Sequence, residues 1–149
     1  MPPALPVIIS HSPAETFAAA QARAADLRGG DVLALVGNLG AGKTQFVKGL
    51  AAGLGLDGAA VTSPTFTLLH EYRGGKLTLH HADFYRLETA AEAAALGLEE
   101  YFDDSAAVTV IEWADKFPAL LPAATRWWYF TAPSPERREI MRGAAPSIR

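Results

Sequence analysis

The sequence predicts an α/β fold whose mixed sheet has a central parallel core, an antiparallel hairpin and flanking helices. An unbroken apolar run at 32–36 is typical of a strand buried on both faces. After a glycine-rich loop, residues 45–54 place their apolar side chains on one helical stripe. Strand-like segments flank Arg73-Gly74-Gly75-Lys76, which predicts a hairpin.

The first helix has a clear start signal. Ser12 is the predicted N-cap, and Glu15 would complete a capping box. We expect this helix to run to about Arg28, because Gly29-Gly30 follows. The other predicted elements are strands at 7–9, 65–72, 77–81, 108–111 and 126–131, and a helix at 88–96.

Length and composition favour one domain. The chain has 149 residues, of which 50% are hydrophobic, so we expect a single domain at 1–143 with a disordered tail at 144–149. It has no cysteine, which excludes disulfides and thiolate zinc sites. No apolar run reaches the roughly 18 residues of a membrane span, and residues 1–6 lack a basic leader, so we expect a cytoplasmic protein.

The charge balance bears on nucleic-acid binding. Thirteen basic and 16 acidic residues give a net charge of −3. A protein that grips RNA through its phosphates usually has a basic excess. Any contact with nucleic acid is therefore expected to run through a partner, although mild acidity also serves solubility.

The glycine-rich loop has the pattern G-x-x-x-x-G-K-T, the phosphate-binding Walker A motif. Its residues are Gly37, Asn38, Leu39, Gly40, Ala41, Gly42, Lys43 and Thr44. Glycines let consecutive backbone N–H groups approach a phosphate closely. Lys43 supplies a positive charge, and the Thr44 hydroxyl is suited to Mg²⁺. Together with the strand before it and the helix after it, the loop predicts binding of a nucleoside triphosphate.

Two carboxylates are candidates for the metal and the attacking water. Glu112 ends the apolar strand 108–111 and would hold Mg²⁺ directly or through water; the alternative is a surface glutamate. Asp83 follows the second hairpin strand, where a lone carboxylate by itself carries little information. Trp113 would wall the nucleotide site or simply pack in the core.

Two further segments leave alternatives open. Ser63-Pro64-Thr65 would offer a hydroxyl to the γ-phosphate or metal as a switch, or it is a proline turn entering a strand. His80 and His81 point to opposite faces of a strand, so they cannot share one metal. We expect one core histidine and one exposed histidine.

Five motifs together resemble the TsaE family, the small P-loop ATPases of bacterial tRNA threonylcarbamoyladenosine biosynthesis. The resemblance covers roughly residues 12 to 131. The motifs are GNLGAGKT (37–44), SPTFTL (63–68), HADFYRL (81–87), LGLEEYF (96–102) and IEW (111–113).

The resemblance implies a compact P-loop domain that binds ATP and Mg²⁺ and hydrolyses ATP weakly to ADP when alone. It implies stimulation on a complex of TsaB and TsaD, in which TsaD modifies N6 of the adenosine next to the anticodon in tRNAs reading codons that begin with A. The tRNA would be reached only through that complex. The sequence leaves self-association open, with a monomer as the expectation.

The resemblance also assigns roles to residues. Lys43 and the loop amides would hold phosphates, while Thr44 and Glu112 would ligate Mg²⁺. Asp83 matches the acidic position of the family's His-x-Asp element and would position water or the metal. The catalytic set is completed by Thr65, which matches the switch-like threonine, and Trp113 matches the tryptophan after the metal-site glutamate.

The chain departs from the family pattern in two places. Asn38 stands where an aspartate is common, which removes one negative charge beside the phosphates. The stretch 136–140 matches the family's terminal basic strand only loosely. Arg138 as a nucleotide contact, and Glu15 or Thr16 near the base, therefore compete with the interpretation that they are solvated surface residues.

Two other functions remain alternatives on the same loop. A small-molecule kinase usually carries an arginine-rich lid and an acceptor pocket, and this chain has scattered arginines and little room. A nucleotide-dependent binding switch would need the loop but no significant turnover.

Overall fold

A computed structural model describes residues 7–38, 40–64 and 67–147. The strands are Val7–Ser10 (β1), Val32–Val36 (β2), Leu69–Tyr72 (β3), Thr78–Asp83 (β4), Ala107–Glu112 (β5), Arg126–Ser134 (β6) and Arg137–Gly143 (β7). The helices are Pro13–Arg23 (α1), Lys43–Gly53 (α2), Ala90–Ala94 (α3) and Leu98–Phe102 (α4). Within these ranges no helix is long and apolar enough to cross a membrane.

All seven strands belong to one mixed sheet, in the order β1-β7-β6-β2-β5-β4-β3. Strands β6, β2, β5 and β4 are parallel neighbours. Antiparallel strands complete both edges, with β3 on β4 and β7 and β1 beyond β6. The predicted fold class is therefore confirmed. The carboxyl ends of β2, β4 and β5 meet at one edge of the sheet, where α/β proteins bind their ligands.

Helices cover both faces of the parallel core. On one face, Phe46 and Leu50 of α2 belong to the same core cluster as Trp128 and Phe130 of β6. On the other face, Trp127 joins a second cluster with residues from α3 and α4. Strands between two such layers must be apolar on both faces, which explains the unbroken run in β2.

Helix α1 is shorter than predicted. Ser12 is its N-cap, and its side chain accepts the amide of Glu15 as expected, but the Glu15 carboxylate accepts from His11 instead of closing a capping box. The helix ends at Arg23, not Arg28, and a short 3₁₀ turn follows. Leu27 is extended and packs against the core, so tertiary packing ends the helix before the glycines.

Other boundaries also differ from the prediction. Residues 65 and 66 of the strand predicted at 65–72 lie outside the described residues. Among the described ones the strand covers Leu69–Tyr72, because Leu68 adopts a left-handed conformation with φ of 69°. The helix predicted at 88–96 is confined to Ala90–Ala94, capped by a capping box between Thr89 and Glu92. Sequence reasoning assigned no helix to Leu98–Phe102. The prediction of one exposed histidine is wrong, because helices cover both faces of the sheet and both His80 and His81 are buried.

Helices α1 and α2 approach each other closely at Gly49. A Cβ atom there would lie 2.3 Å from the Phe17 carbonyl oxygen and 2.7 Å from the Ala20 Cβ. In most helix interiors, alanine is more stable than glycine by about 0.5–1 kcal/mol. At this position we expect Gly49→Ala to lower the free energy of unfolding by about 1–3 kcal/mol, because the helices must move apart.

Denaturant unfolding tests this expectation. The control is Gln21→Ala, a change at an exposed residue of α1, which should alter the unfolding free energy by no more than about 0.5 kcal/mol. A Gly49→Ala variant that is as stable as the parent chain would show that the two helices are less tightly packed than described.

Candidate functional site

The glycine-rich loop joins β2 to α2 and presents the start of that helix. Gly40 and Gly42 have φ angles of 78° and 102°, which side-chain-bearing residues rarely adopt. Gly42 is the N-cap of α2, so no side chain caps the first helical amides. Uncapped N–H groups at the positive end of a helix form a ready anion site.

Lys43, the first residue of α2, points back into the loop. Its side chain is buried, and Nζ donates to the Gly37 carbonyl and, at 3.1 Å, to the Asn38 carbonyl. Burial lowers the pKa of Lys43, while the carboxylates of Glu112 and Asp83 oppose that shift. The loop therefore holds a desolvated ammonium group, and its attraction for a bound phosphate is stronger there than it would be in water.

Two carboxylates face the loop from adjacent strands. Glu112 ends β5 and Asp83 ends β4, and the two are paired in register. Both are buried, at 3% and 2% exposure. The Thr44 hydroxyl lies 3.3 Å from each Glu112 oxygen. Asp83 accepts the Tyr85 amide at 2.7 Å and faces the Ser63 hydroxyl at 3.4 Å.

Trp113 turns over the site directly after β5. Its φ of 58° is unusual for a bulky residue, and its amide donates to the Leu35 carbonyl at 3.1 Å. This turn places the indole over Lys43, with Nζ 4.1 Å from the ring centroid. Tyr85 packs on the same ring at 5.0 Å. Of the two interpretations of Trp113, the geometry favours the wall of the site.

These groups enclose a cavity of about 330 Å³. Its walls are loop residues 40–45 together with Ser63, Asp83, Glu112 and Trp113. The structure thus brings together the predicted lysine, hydroxyl, carboxylates and tryptophan. Predicted residues Leu39 and Thr65 lie outside the described residues, so their roles stay predictions.

Arg138 lies on the other side of the loop. Its Nε donates to the Gly40 carbonyl at 3.2 Å, and its guanidinium also contacts three carbonyls of its own hairpin, those of residues 134, 135 and 137. A second cavity of about 200 Å³ includes Arg138, Thr16, Gly40 and Gly42 in its lining. Arg138 therefore contacts the loop backbone, and its role toward a nucleotide stays a prediction.

Sequence reasoning missed His81. Its Nε2 lies 2.5 Å from Glu112 Oε2, and the side chain is fully buried. A signal was present, because residues two apart on a strand share a face and His81 stands two before Asp83. The expectation that one neighbouring histidine is exposed hid that relation.

The oxygen donors of the site suit a magnesium ion that takes some of its ligands from the protein and the others from phosphate groups. The Thr44 hydroxyl and the Glu112 carboxylate are oxygen donors of the kind Mg²⁺ takes. Across the described ranges there is no group of three or more His, Cys, Asp or Glu side chains placed to hold a metal alone. Mg²⁺ commonly keeps few protein ligands and binds with substrate phosphates.

The fold and the loop define the chain as a P-loop NTPase-type α/β protein. A comparison with protein families matches residues 10–140 to the family described as "Threonylcarbamoyl adenosine biosynthesis protein TsaE". The chain belongs to the TsaE family. The resemblance seen in its motifs is confirmed.

Individual relatives agree with this assignment. The chain is 50% identical to a Bacillus subtilis protein named tRNA threonylcarbamoyladenosine biosynthesis protein TsaE, over 74% of this chain and 68% of the relative. Proteins of the same name from Treponema pallidum and Synechocystis are 48% and 47% identical, over 66% and 61% of this chain and 71% and 59% of theirs. The chain therefore spans about three fifths to seven tenths of these relatives.

A solved structure shows the same fold. The crystal structure of Bacillus subtilis YdiB superposes with a TM-score of 0.77 and 37% identity. The match covers 95% of this chain and 86% of that one. The likeness therefore extends over nearly the whole chain.

Proposed function

We propose that this protein is a Mg²⁺-dependent ATPase that acts as an accessory factor in threonylcarbamoyladenosine modification of tRNA. It would act on the TsaB–TsaD complex, whose product is the modified adenosine next to the anticodon in tRNAs reading codons that begin with A. The observation that carries the proposal is the cavity in which Lys43, Thr44, Asp83 and Glu112 converge, in a chain of the TsaE family.

Different residues around the cavity bind the phosphates, the metal ion and the attacking water. Lys43 and the amides at the start of α2 hold the phosphates, and Trp113 shields the lysine from water. Thr44 and Glu112 hold Mg²⁺, which neutralises phosphate charge when bound. Asp83 positions the attacking water or the metal. The hydrogen bond that it accepts from the Tyr85 backbone amide fixes the carboxylate at the strand end.

The charge balance of the cavity supports weak turnover without a partner. Among the described residues of its lining, Lys43 supplies the positive charge and two carboxylates oppose it. Phosphoryl transfer is commonly accelerated by a further cation, sometimes delivered by a second protein. Stimulation on TsaB–TsaD fits that requirement.

Steady-state ATP hydrolysis tests the proposal. We expect low activity for the chain alone, and a rise of at least about tenfold on addition of TsaB–TsaD and tRNA. TsaB–TsaD without the chain is the control for contaminating activity. Unchanged hydrolysis would contradict the accessory role, and γ-phosphate transfer to a metabolite would favour the kinase alternative.

A further inference from the structure

We propose that His81 is a positioning residue that fixes the Glu112 carboxylate in the orientation used to hold Mg²⁺. This inference rests on the function proposed above and assigns a role to a buried side chain outside the lining of the cavity. Three features support this role: the short contact between the two side chains, their burial and the arrangement of the neighbouring strands.

Strand register places the histidine behind the carboxylate. Asp83 is paired with Glu112 across β4 and β5, and His81 stands two residues earlier on the same face of β4. The imidazole therefore approaches Glu112 from the interior of the sheet, while Thr44 approaches it from the loop. His81 is 0% exposed, and the Glu112 side chain is 4% exposed.

The direction of the hydrogen bond follows from the chemistry of the pair. An ionised carboxylate only accepts hydrogen bonds, so His81 Nε2 carries the proton and donates to Oε2 at 2.5 Å. Nδ1 of the same ring is buried and has no hydrogen-bond partner among the described residues. The polar function of this ring is thus directed at Glu112.

This contact orients Glu112 more firmly than the contact with Thr44 does. The Thr44 hydroxyl lies 3.3 Å from both carboxylate oxygens, which is long for an O–H···O bond. A flexible glutamate loses substantial rotamer freedom when it is ordered. His81 fixes that rotamer before the metal arrives, and the metal does not have to order the side chain itself.

The test compares Mg²⁺ titrations of nucleotide binding, followed by fluorescence anisotropy of a fluorescent ADP analogue. For His81→Leu, we expect the Mg²⁺ concentration at half-maximal binding to rise about tenfold, as is common for residues that support metal ligands. Binding of the analogue in EDTA should be unchanged, because His81 lies outside the lining of the cavity and has no hydrogen bond to the phosphate loop among the described residues.

The neighbouring histidine provides a matched control. His80 is also buried, but it lies on the opposite face of β4. Its ring centroid is 4.5 Å from that of Tyr101, and its Nδ1 lies 3.3 Å from Glu71 Oε2. His80→Leu removes a buried imidazole from the same strand without touching Glu112. It should leave the Mg²⁺ midpoint at the value of the parent chain.

A second pair of variants separates the hydrogen bond from packing. The amide nitrogen of glutamine can reach the position of Nε2, whereas that of asparagine reaches only the position of Nδ1. His81→Gln should therefore restore most of the Mg²⁺ response, and His81→Asn should not. This pair decides the matter if His81→Leu fails to fold.

Four outcomes would overturn the inference. Equal Mg²⁺ midpoints for His81→Gln and His81→Asn would show that the hydrogen bond has no role. An unchanged midpoint in His81→Leu would show that His81 does not position Glu112, and an equal rise in His80→Leu would show that packing, not the hydrogen bond, is responsible. No binding by the parent chain at any Mg²⁺ concentration would instead overturn the nucleotide site itself, and this inference with it.

Discussion

Replacing Lys43 by alanine is expected to lower the affinity for ATP by roughly 30-fold or more while the fold is retained. Truncating one partner of a buried, hydrogen-bonded charge pair commonly costs about 2–5 kcal/mol of binding energy. Lys43 supplies the positive side-chain charge of the loop, and its Nζ lies 4.1 Å from the centroid of the Trp113 ring. Its loss leaves the phosphates with the backbone amides and the Mg²⁺ ion.

The fold should tolerate this change because Lys43 contributes little to it. Burial lowers the pKa of Lys43, so the folded protein already carries the cost of a desolvated ammonium group. The variant loses hydrogen bonds to two loop carbonyls but is relieved of that cost. We expect the free energy of unfolding to change by no more than about 1 kcal/mol.

Calorimetric titration with ATP and denaturant unfolding measure the two effects separately. Lys48→Ala, a second lysine of α2 outside the lining of the site, is the matched control and should bind ATP normally. Normal affinity in Lys43→Ala would contradict the assignment of the phosphate site. Loss of affinity in both variants would point to general electrostatics instead.

Replacing Glu112 by glutamine is expected to reduce partner-stimulated hydrolysis by about 100-fold or more, through loss of the metal site. Glutamine preserves the size of the side chain, and its carbonyl oxygen can still accept from His81. The charge that would face Mg²⁺ is removed. We therefore expect the Mg²⁺ requirement of ATP binding to rise sharply while thermal unfolding changes little.

The contrast with alanine sharpens this expectation. Glu112→Ala would leave His81 Nε2 buried without its partner, so it should destabilise the fold more than glutamine does. Glu99→Gln, an exposed charge on α4, controls for the change in net charge. If Glu112→Gln kept a normal Mg²⁺ response and normal hydrolysis, Glu112 would not be a metal ligand.

The parts of the site that depend on local sequence could be predicted. The glycine loop, the strand before it and the helix that begins at Lys43 follow from residues adjacent in the chain. Glu112 at the end of β5 follows from an apolar run that stops at a carboxylate. Each of these signals lies within about ten residues.

Features that depend on strand order could not be predicted in the same way. Arg138 reaches the Gly40 carbonyl because β7 lies two strands from β2, an arrangement that no local pattern encodes. His81 meets Glu112 because β4 and β5 are parallel neighbours. The early end of α1 reflects the packing of Leu27, and packing overrides intrinsic helix preference.

Unusual backbone conformations could not be predicted from the sequence either. Trp113 and Leu68 adopt positive φ angles without being glycine, and the sequence around them carries no turn signal that demands this. Such conformations cluster at functional sites. Trp113 illustrates the point, since its turn places the indole over the lysine of the loop.

The central claim is that the loop at 37–44 holds the phosphates of a nucleotide together with Mg²⁺. Amide chemical shifts of the ¹⁵N-labelled protein, recorded while ADP and Mg²⁺ are added, test it residue by residue. We expect the largest shifts at Gly40, Gly42, Lys43 and Thr44, with smaller ones at Glu112 and Trp113. Saturating nucleotide that leaves the loop amides unmoved, or moves only residues remote from the loop, would contradict the claim.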